Sequence, residues 1–284
     1  MPSSAIMRQR SQSCKLHEQK GEGMRSTDVL QAIIDACGPP GGDEGILFGD
    51  REQEVTGIQV CWMASLDAIE HAGQAGDNLI IAHEDLYFPS WRPPGSATPV
   101  EYLSWRVNQR RLGLLAQYEI AVIRSHGSLD RYCIFAAFAE KLGLGAPVVN
   151  DGPYLKAYDL PPGTTYGALV ERVKAALGME AVRATLHDPA APVRRAGLPW
   201  GGLGLFVNVG YMQSILKYGC DVFIAGESDN YGMHFAMESG VPMIETSHEV
   251  SENPGLAQYA QELQTTLPAV PVHFYENPMP WRWW

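Results

Sequence analysis

Short apolar runs, each followed at once by polar or ligand-type residues, constrain this chain more than any other feature. NLIIA (78–82) runs into His-Glu-Asp, YEIAVIR (118–124) into Ser-His-Gly, DVFIA (221–225) into Gly-Glu, and PMI (242–244) into Glu-Thr-Ser-His. A run this short cannot span a bilayer and reads as a buried strand. Between and around these runs the apolar spacing turns helical, over 66–75, 101–117, 130–142, 165–177, 211–218, 231–239 and 254–265. Further strands are expected over 55–63, 182–186, 203–209 and 270–274, and loops over 38–45 and 188–200. Short apolar strands alternating with helices define an α/β fold. In such folds ligand sites lie at the carboxyl ends of the strands, where this chain places its imidazoles and carboxylates.

Residues 1–24 are rich in Ser, Gln and Lys and read as a flexible tail, after which Ser26 or Thr27 caps the first helix. The N-terminus has no apolar signal-peptide core. The 284 residues carry a net charge of −11 with 45% hydrophobic content, which suits a sizeable core and argues against a nucleic-acid face. The five cysteines are widely spaced and form no C-x-x-C. They read as buried thiols in a reducing compartment rather than a disulfide framework or a thiolate zinc site, so a cytoplasmic, membrane-free protein is expected. The closing WRWW (281–284) reads as a packing plug or part of a subunit interface, since exposed indoles at that density are costly.

Three strand ends gather ligand chemistry. They hold His83, Glu84 and Asp85; His126 and Asp130; and Glu245, His248, Glu249 and Glu252. Imidazole and carboxylate are ligands of zinc, manganese and iron. Carboxylates able to bridge ions permit a dinuclear site, with two metals roughly 3.5–4 Å apart and a water activated between them. Each cluster also has a plain reading. His83–Glu84 is a solvated loop pair, Asp130 a first-turn carboxylate favoured by the helix dipole, and His248–Glu252 a surface pair one helical turn apart. Taken together, three strand ends with the same donors shift the balance towards a metal site. Phosphate-loop and nucleophile-elbow motifs are absent from the sequence.

In order and spacing these clusters resemble the family of the NGG-one-interacting factor three, whose members also go by the name GTP cyclohydrolase 1 type 2-like. The resemblance rests on AHEDLYF, SHGSLD, DVFIAGE, SHEVSE and VHFYENP, and runs from about residue 25 to the end. It implies two similar α/β lobes with mixed sheets facing a metal-binding cleft. The first lobe is expected over 25–125, completed by 245–284, and the second over 126–244. It further implies two divalent ions (Zn, Mn, Fe or Mg) held by His83, Glu84, Asp130, His248 and Glu252, with His126 and Glu227 lining the site, and a ring-shaped homohexamer.

Two departures stand out. Glu84 replaces the second histidine of the family's pair, and a carboxylate there favours a harder ion than zinc. The histidine expected after Gly-Glu falls at Tyr231, or at His234 if the register slips. The function implied is divalent-metal binding, with hydrolysis of a nucleotide or phosphoester as the activity. The alternative is a non-catalytic protein that buffers or delivers ions, or a scaffold. Outside the ligand set, His126 and Glu249 are the candidate bases.

Overall fold

The apolar runs become the inner strands of two sheets. The computed structural model describes residues 23–89 and 100–282. Residues 1–22 of the expected tail, and Trp283 and Trp284, lie outside the described residues. Contacts divide the chain into two units. The first draws its described residues from Met1–Gln59, Met63–Leu129 and Leu267–His273, and the second from Val60–Trp62, Asp130–Thr266 and Phe274–Trp284.

The first sheet contains β1 (Gly45–Phe48), β2 (Ile58–Cys61), β3 (Leu79–Ala82), β4 (Ala121–Arg124) and the last strand, β11 (Val272–Tyr275), in the order β1-β4-β3-β2-β11. Every residue of β2, β3 and β4 is buried, the burial expected of strands apolar on both faces. β3 and β4 run parallel with Ala82 beside Arg124, and β1 is antiparallel to β4. Helices α1 (Ser26–Cys37), α2 (Leu66–Ala75) and α3 (Arg106–Gln117) belong to this unit. The cap of α1 is Arg25, not Ser26 or Thr27: the Asp28 carboxylate accepts the Arg25 backbone N–H at 2.8 Å, and Ser26 is buried inside the helix. The helix expected over 101–117 is broken. A turn at Val100–Leu103 precedes α3, with extended backbone at Trp105, and the Asn108 side chain donates to the Tyr102 and Phe88 carbonyls.

The second sheet contains β5 (Val149–Asp151), β6 (Leu155–Asp159), β7 (Arg183–Ala184), β8 (Arg195–Gly197), β9 (Val222–Ala225) and β10 (Met243–Glu245), in the order β5-β6-β8-β9-β10-β7. β8, β9 and β10 are parallel, while the outer strands are antiparallel to their neighbours. Both sheets are therefore mixed. Helices α4 (Phe135–Lys141), α5 (Tyr166–Leu177), α6 (Val209–Leu216), α7 (Asn230–Glu238) and α8 (His248–Thr266) complete the unit. Met212, Ile215, Phe223, Ala236 and Met243 form one core cluster.

Several expectations change here. Of 245–284, only Leu267–His273 joins the first unit, because Glu245 pairs with Ala225 in the second sheet and α8 follows it. The strand expected over 203–209 is instead two 3-10 turns, Gly201–Gly204 and Phe206–Asn208, held by local bonds such as Leu205 N–H to the Gly202 carbonyl at 3.1 Å. β8 lies inside the expected 188–200 loop. α8 starts at His248 and runs through Pro254, which the sequence reading takes as a helix start. Asp130 opens a π-helical turn, Asp130–Ile134, ahead of α4. α8 lies so close to this turn that a Cβ on Gly255 would strike the Ile134 backbone.

Candidate metal centre

In the first unit the parallel register of β3 and β4 delivers His83 and His126 to one sheet end. His83 is fully buried, and its Nδ1 lies 3.0 Å from the Ser125 carbonyl oxygen. A carbonyl only accepts, so Nδ1 carries the proton in this contact. In the neutral ring the ligating lone pair then sits on Nε2. The His83 and His126 ring centroids are 4.9 Å apart. His83 with His126, and His83 with Glu84, each belong to a group of three donor residues whose ligand atoms lie within 4.8 Å of one another.

Charge at this end is organised by residues the sequence reading left out. Arg124 is buried, donates from Nε to the His83 carbonyl at 3.2 Å, and reaches Asp43 at 3.0 Å, Asp85 at 3.6 Å and Glu84 at 3.9 Å. Asp43 also meets His126 Nδ1 at 3.3 Å. The hydrogen bond from His126, helped by the charges of Arg124 and His126 and opposed by partial burial, lowers the Asp43 carboxyl to about 2. Glu44 accepts the backbone N–H groups of His126 and Ser128 at 2.7 and 2.8 Å, stapling the turn that presents His126. The segment GPPGGDEG, read from the sequence as a plain loop, thus supplies both Asp43 and Glu44.

The second unit repeats the arrangement. β9 and β10 are parallel, so Glu227 and the segment Ser247–His248 emerge at one sheet end. His248 lies between two carboxylates: Nδ1 is 3.1 Å from Glu227 Oε2, and Nε2 is 3.3 Å from Glu252 Oε1. A neutral imidazole carries one N–H. One of these approaches therefore sets a lone pair against a carboxylate oxygen unless a second proton or a metal ion lies there. With metal–ligand distances of about 2.1 Å, two donors on one ion stand about 3.0–3.4 Å apart, so the Nε2–Oε1 spacing fits a shared ion. The donor set therefore fits a divalent metal.

Glycine makes the room. Gly201, at φ +52°, leaves no space for a Cβ beside Glu252 Oε1, and a Cβ on Gly226 would meet the Gly201 backbone. The GGLG segment is thus a clearance for the Glu252 carboxylate. Asp130 accepts from the Trp200 indole at 3.1 Å.

Other expected residues fall elsewhere. Tyr231 is exposed and packs on Phe206, and His234 faces Glu238 on the surface of α7, so neither is brought to His248. Glu249 is buried and accepts from the Ser247 hydroxyl at 2.9 Å, and burial raises its carboxyl above the ordinary range. Burial likewise raises Glu245, against the pull of the Arg183 guanidinium paired with it. A cavity of about 410 Å³ opens at His248, lined by Trp62, Arg183, Glu227, Ser247 and Glu249 among others. Among the described residues, no helix is long and apolar enough to cross a membrane.

A family model described as Duf34/NIF3 (NGG1p interacting factor 3) matches residues 39–280. A GTP cyclohydrolase 1 type 2 homolog of Neisseria meningitidis is 23% identical over 75% of this chain and 81% of its own length. One from Clostridium perfringens is 22% identical over 86% and 93%. Among solved structures, a Staphylococcus aureus hypothetical protein matches with TM-score 0.75 at 17% identity, covering 92% of this chain and all of that one. A Bacillus cereus protein related to NIF3 matches with TM-score 0.74 at 16% identity, covering 93% of this chain and all of its own.

Proposed function

The chain belongs to the Duf34/NIF3 (NGG1p interacting factor 3) family, and on that premise we propose that it binds up to two divalent metal ions through His83, Glu84, Asp130, His248 and Glu252. His126 and Glu227 line the site. The observation that carries this reading is the setting of His248, whose Nε2 lies 3.3 Å from Glu252 Oε1, a spacing that two donors sharing one ion would have. The Nδ1 contact of His83 with the Ser125 carbonyl supports it, because a backbone acceptor behind the ring fixes the tautomer in which Nε2 can ligate.

When bound, such ions supply an activated water and polarise a phosphoryl or carbonyl oxygen. The chain's own part is to orient these donors and to present a cavity at His248 that can take a small molecule. The activity proposed is hydrolysis of a nucleotide or phosphoester, with His126 as the group that takes up a proton. The second reading is a non-catalytic metal-binding or interaction protein, since the same donors hold an ion whether or not a substrate is turned over. Ring opening of GTP ranks below both. We also propose assembly as a homohexamer in the cytoplasm, which light scattering on the purified protein tests.

Elemental analysis of protein never exposed to chelator, followed by titration with zinc and manganese, tests the metal reading. One to two ions per chain are expected, and no uptake under either condition overturns it. Turnover of a panel of phosphoesters and nucleotides by the metal-loaded protein, lost in His126→Ala, separates the hydrolase from the non-catalytic reading.

A further inference from the structure

Two of the proposed ligand carboxylates are each gripped by an indole. Trp62 Nε1 donates to Glu252 Oε2 at 2.8 Å, and Trp200 Nε1 donates to Asp130 Oδ1 at 3.1 Å. Each pair lies within the second unit, and both tryptophans come from segments the sequence reading gave no role. An indole N–H is a donor with no lone pair to offer a metal. It can hold a carboxylate oxygen without competing for the ion.

The geometry points to Trp62 and Trp200 as positioning residues that restrict Glu252 and Asp130 to one metal-facing oxygen each. This inference rests on the metal reading above. At Glu252 the division of labour is explicit: Oε2 goes to Trp62, while Oε1 faces His248 Nε2 at 3.3 Å. Trp62 also lies edge-on to the His248 ring, with centroids 5.2 Å apart, so one indole touches both members of the ligand pair. Glu252 is buried, and at a buried carboxylate a hydrogen bond fixes orientation more firmly than at a hydrated one.

Trp200 is held in turn. It is buried, with its ring against Phe135 at 4.2 Å between centroids and Tyr154 and Tyr211 at 5.5 and 6.0 Å. The next residue, Gly201, provides the clearance for Glu252. The Trp200–Gly201 pair therefore fixes one carboxylate by contact and the other by leaving it space. A carboxylate held on one oxygen ligates through the other. Released, it can rotate and chelate through both, raising the coordination number of the ion and lowering the precision of the site.

The test uses the full chain and two variants that keep an aromatic ring but lose the N–H, W62F and W200F. Zinc affinity is measured by chelator competition, and Co²⁺ is used as a spectroscopic probe, because its visible bands weaken as its coordination number rises. Melting curves of the metal-free proteins report the fold. The expected result is zinc binding weaker by about 10- to 100-fold in W62F, with weakened Co²⁺ bands and a cooperative melt retained. W200F should show the same direction; if it loses its cooperative melt, W62F alone decides. A purely structural role for Trp62 would lower the melting temperature and leave the Co²⁺ spectrum of bound protein unchanged, which overturns the proposal. Unchanged affinity and spectrum in W62F also overturns it while leaving the metal reading standing. Wild-type protein that takes up neither ion overturns the metal reading, and this inference with it.

Discussion

The two sheet ends use one device with different chemistry. In the first unit, parallel β3 and β4 deliver His83, Glu84 and His126 around a buried arginine that meets three carboxylates. In the second, parallel β9 and β10 deliver Glu227 and His248, and the carboxylates there meet an imidazole, an indole and the space left by a glycine. A guanidinium is charged at every accessible pH, so the first end holds one permanent cation against its three carboxylates. At the second end a neutral His248 has one N–H for the two carboxylates at its nitrogens, so one of those contacts needs an added proton or cation. The first end thus has a permanent cation among its carboxylates, while Glu227 and Glu252 at the second meet an imidazole that is charged only when protonated.

The largest expected effect breaks the first end. Arg124→Met removes the one cation that reaches Asp43, Asp85 and Glu84 among the described contacts. Leaving a buried charge without its partner costs about 3–5 kcal/mol, and the low end applies because Asp43 is partly exposed. Denaturant melts of metal-free protein measure it. A loss below about 1 kcal/mol would mean that Arg124 behaves as a surface ion pair and does not organise the first end.

The next effect belongs to the second end. If a divalent ion completes it, free zinc at a hundredfold excess over its Kd should stabilise the fold by about 2.7 kcal/mol, and chelation should remove that increment. His248→Ala should abolish most of it, while its metal-free stability falls by less than in Arg124→Met. Equal zinc-dependent shifts in wild type and His248→Ala would place the ion elsewhere.

A smaller effect separates the ends by ligand hardness. Glu84 puts a carboxylate where an imidazole would make a softer site. Glu84→His should move the preference from manganese towards zinc by roughly tenfold, about 1.4 kcal/mol, and Glu84→Ala should weaken at least one ion. Competition titrations compare the three proteins. Superimposable curves would leave Glu84 as a partner of Arg124 and His126 rather than a ligand.

What could be read from the sequence follows from how local each signal is. β3, β4, β9 and β10 were legible because a short apolar run declares its burial without reference to anything distant. The donors that follow them, His83, His126, Glu227 and His248, came with the same signal. β1, β5, β6 and β8 were missed because they are short or only partly buried, and pairing with remote partners makes them strands. Residues 203–209 read as a strand because they are apolar, yet Gly201 and Gly204 at this segment serve close approach to Glu252 and Glu227. Asp43, Arg124, Trp62 and Trp200 carried no local mark of their role. Trp62 reaches Glu252 across 190 positions of sequence, and only the fold makes that contact.

The smallest effect is a pH dependence confined to the first end. The Asp43 carboxyl falls from 3.8 to about 2, chiefly through its hydrogen bond with His126, with Arg124 adding to it and partial burial opposing it. A carboxyl with a lower pKa folded than unfolded favours the folded state when ionised. That contribution is fully present above 3.8 and is lost as pH falls towards about 2. Asp43 is substantially exposed, so solvent screening holds the stabilisation to below about 1 kcal/mol. Asp43→Asn should therefore melt lower than wild type at pH 6, and the gap should close as pH falls through this window. Arg124→Met should narrow the gap, since it removes the guanidinium whose charge helps to lower the Asp43 carboxyl. His248→Ala should leave the gap unchanged, because it alters only the second end. A gap that stays constant from pH 6 to pH 2 would show that Asp43 contributes through packing, and the charge balance assigned to the first end would then rest on Glu84 and Asp85 alone.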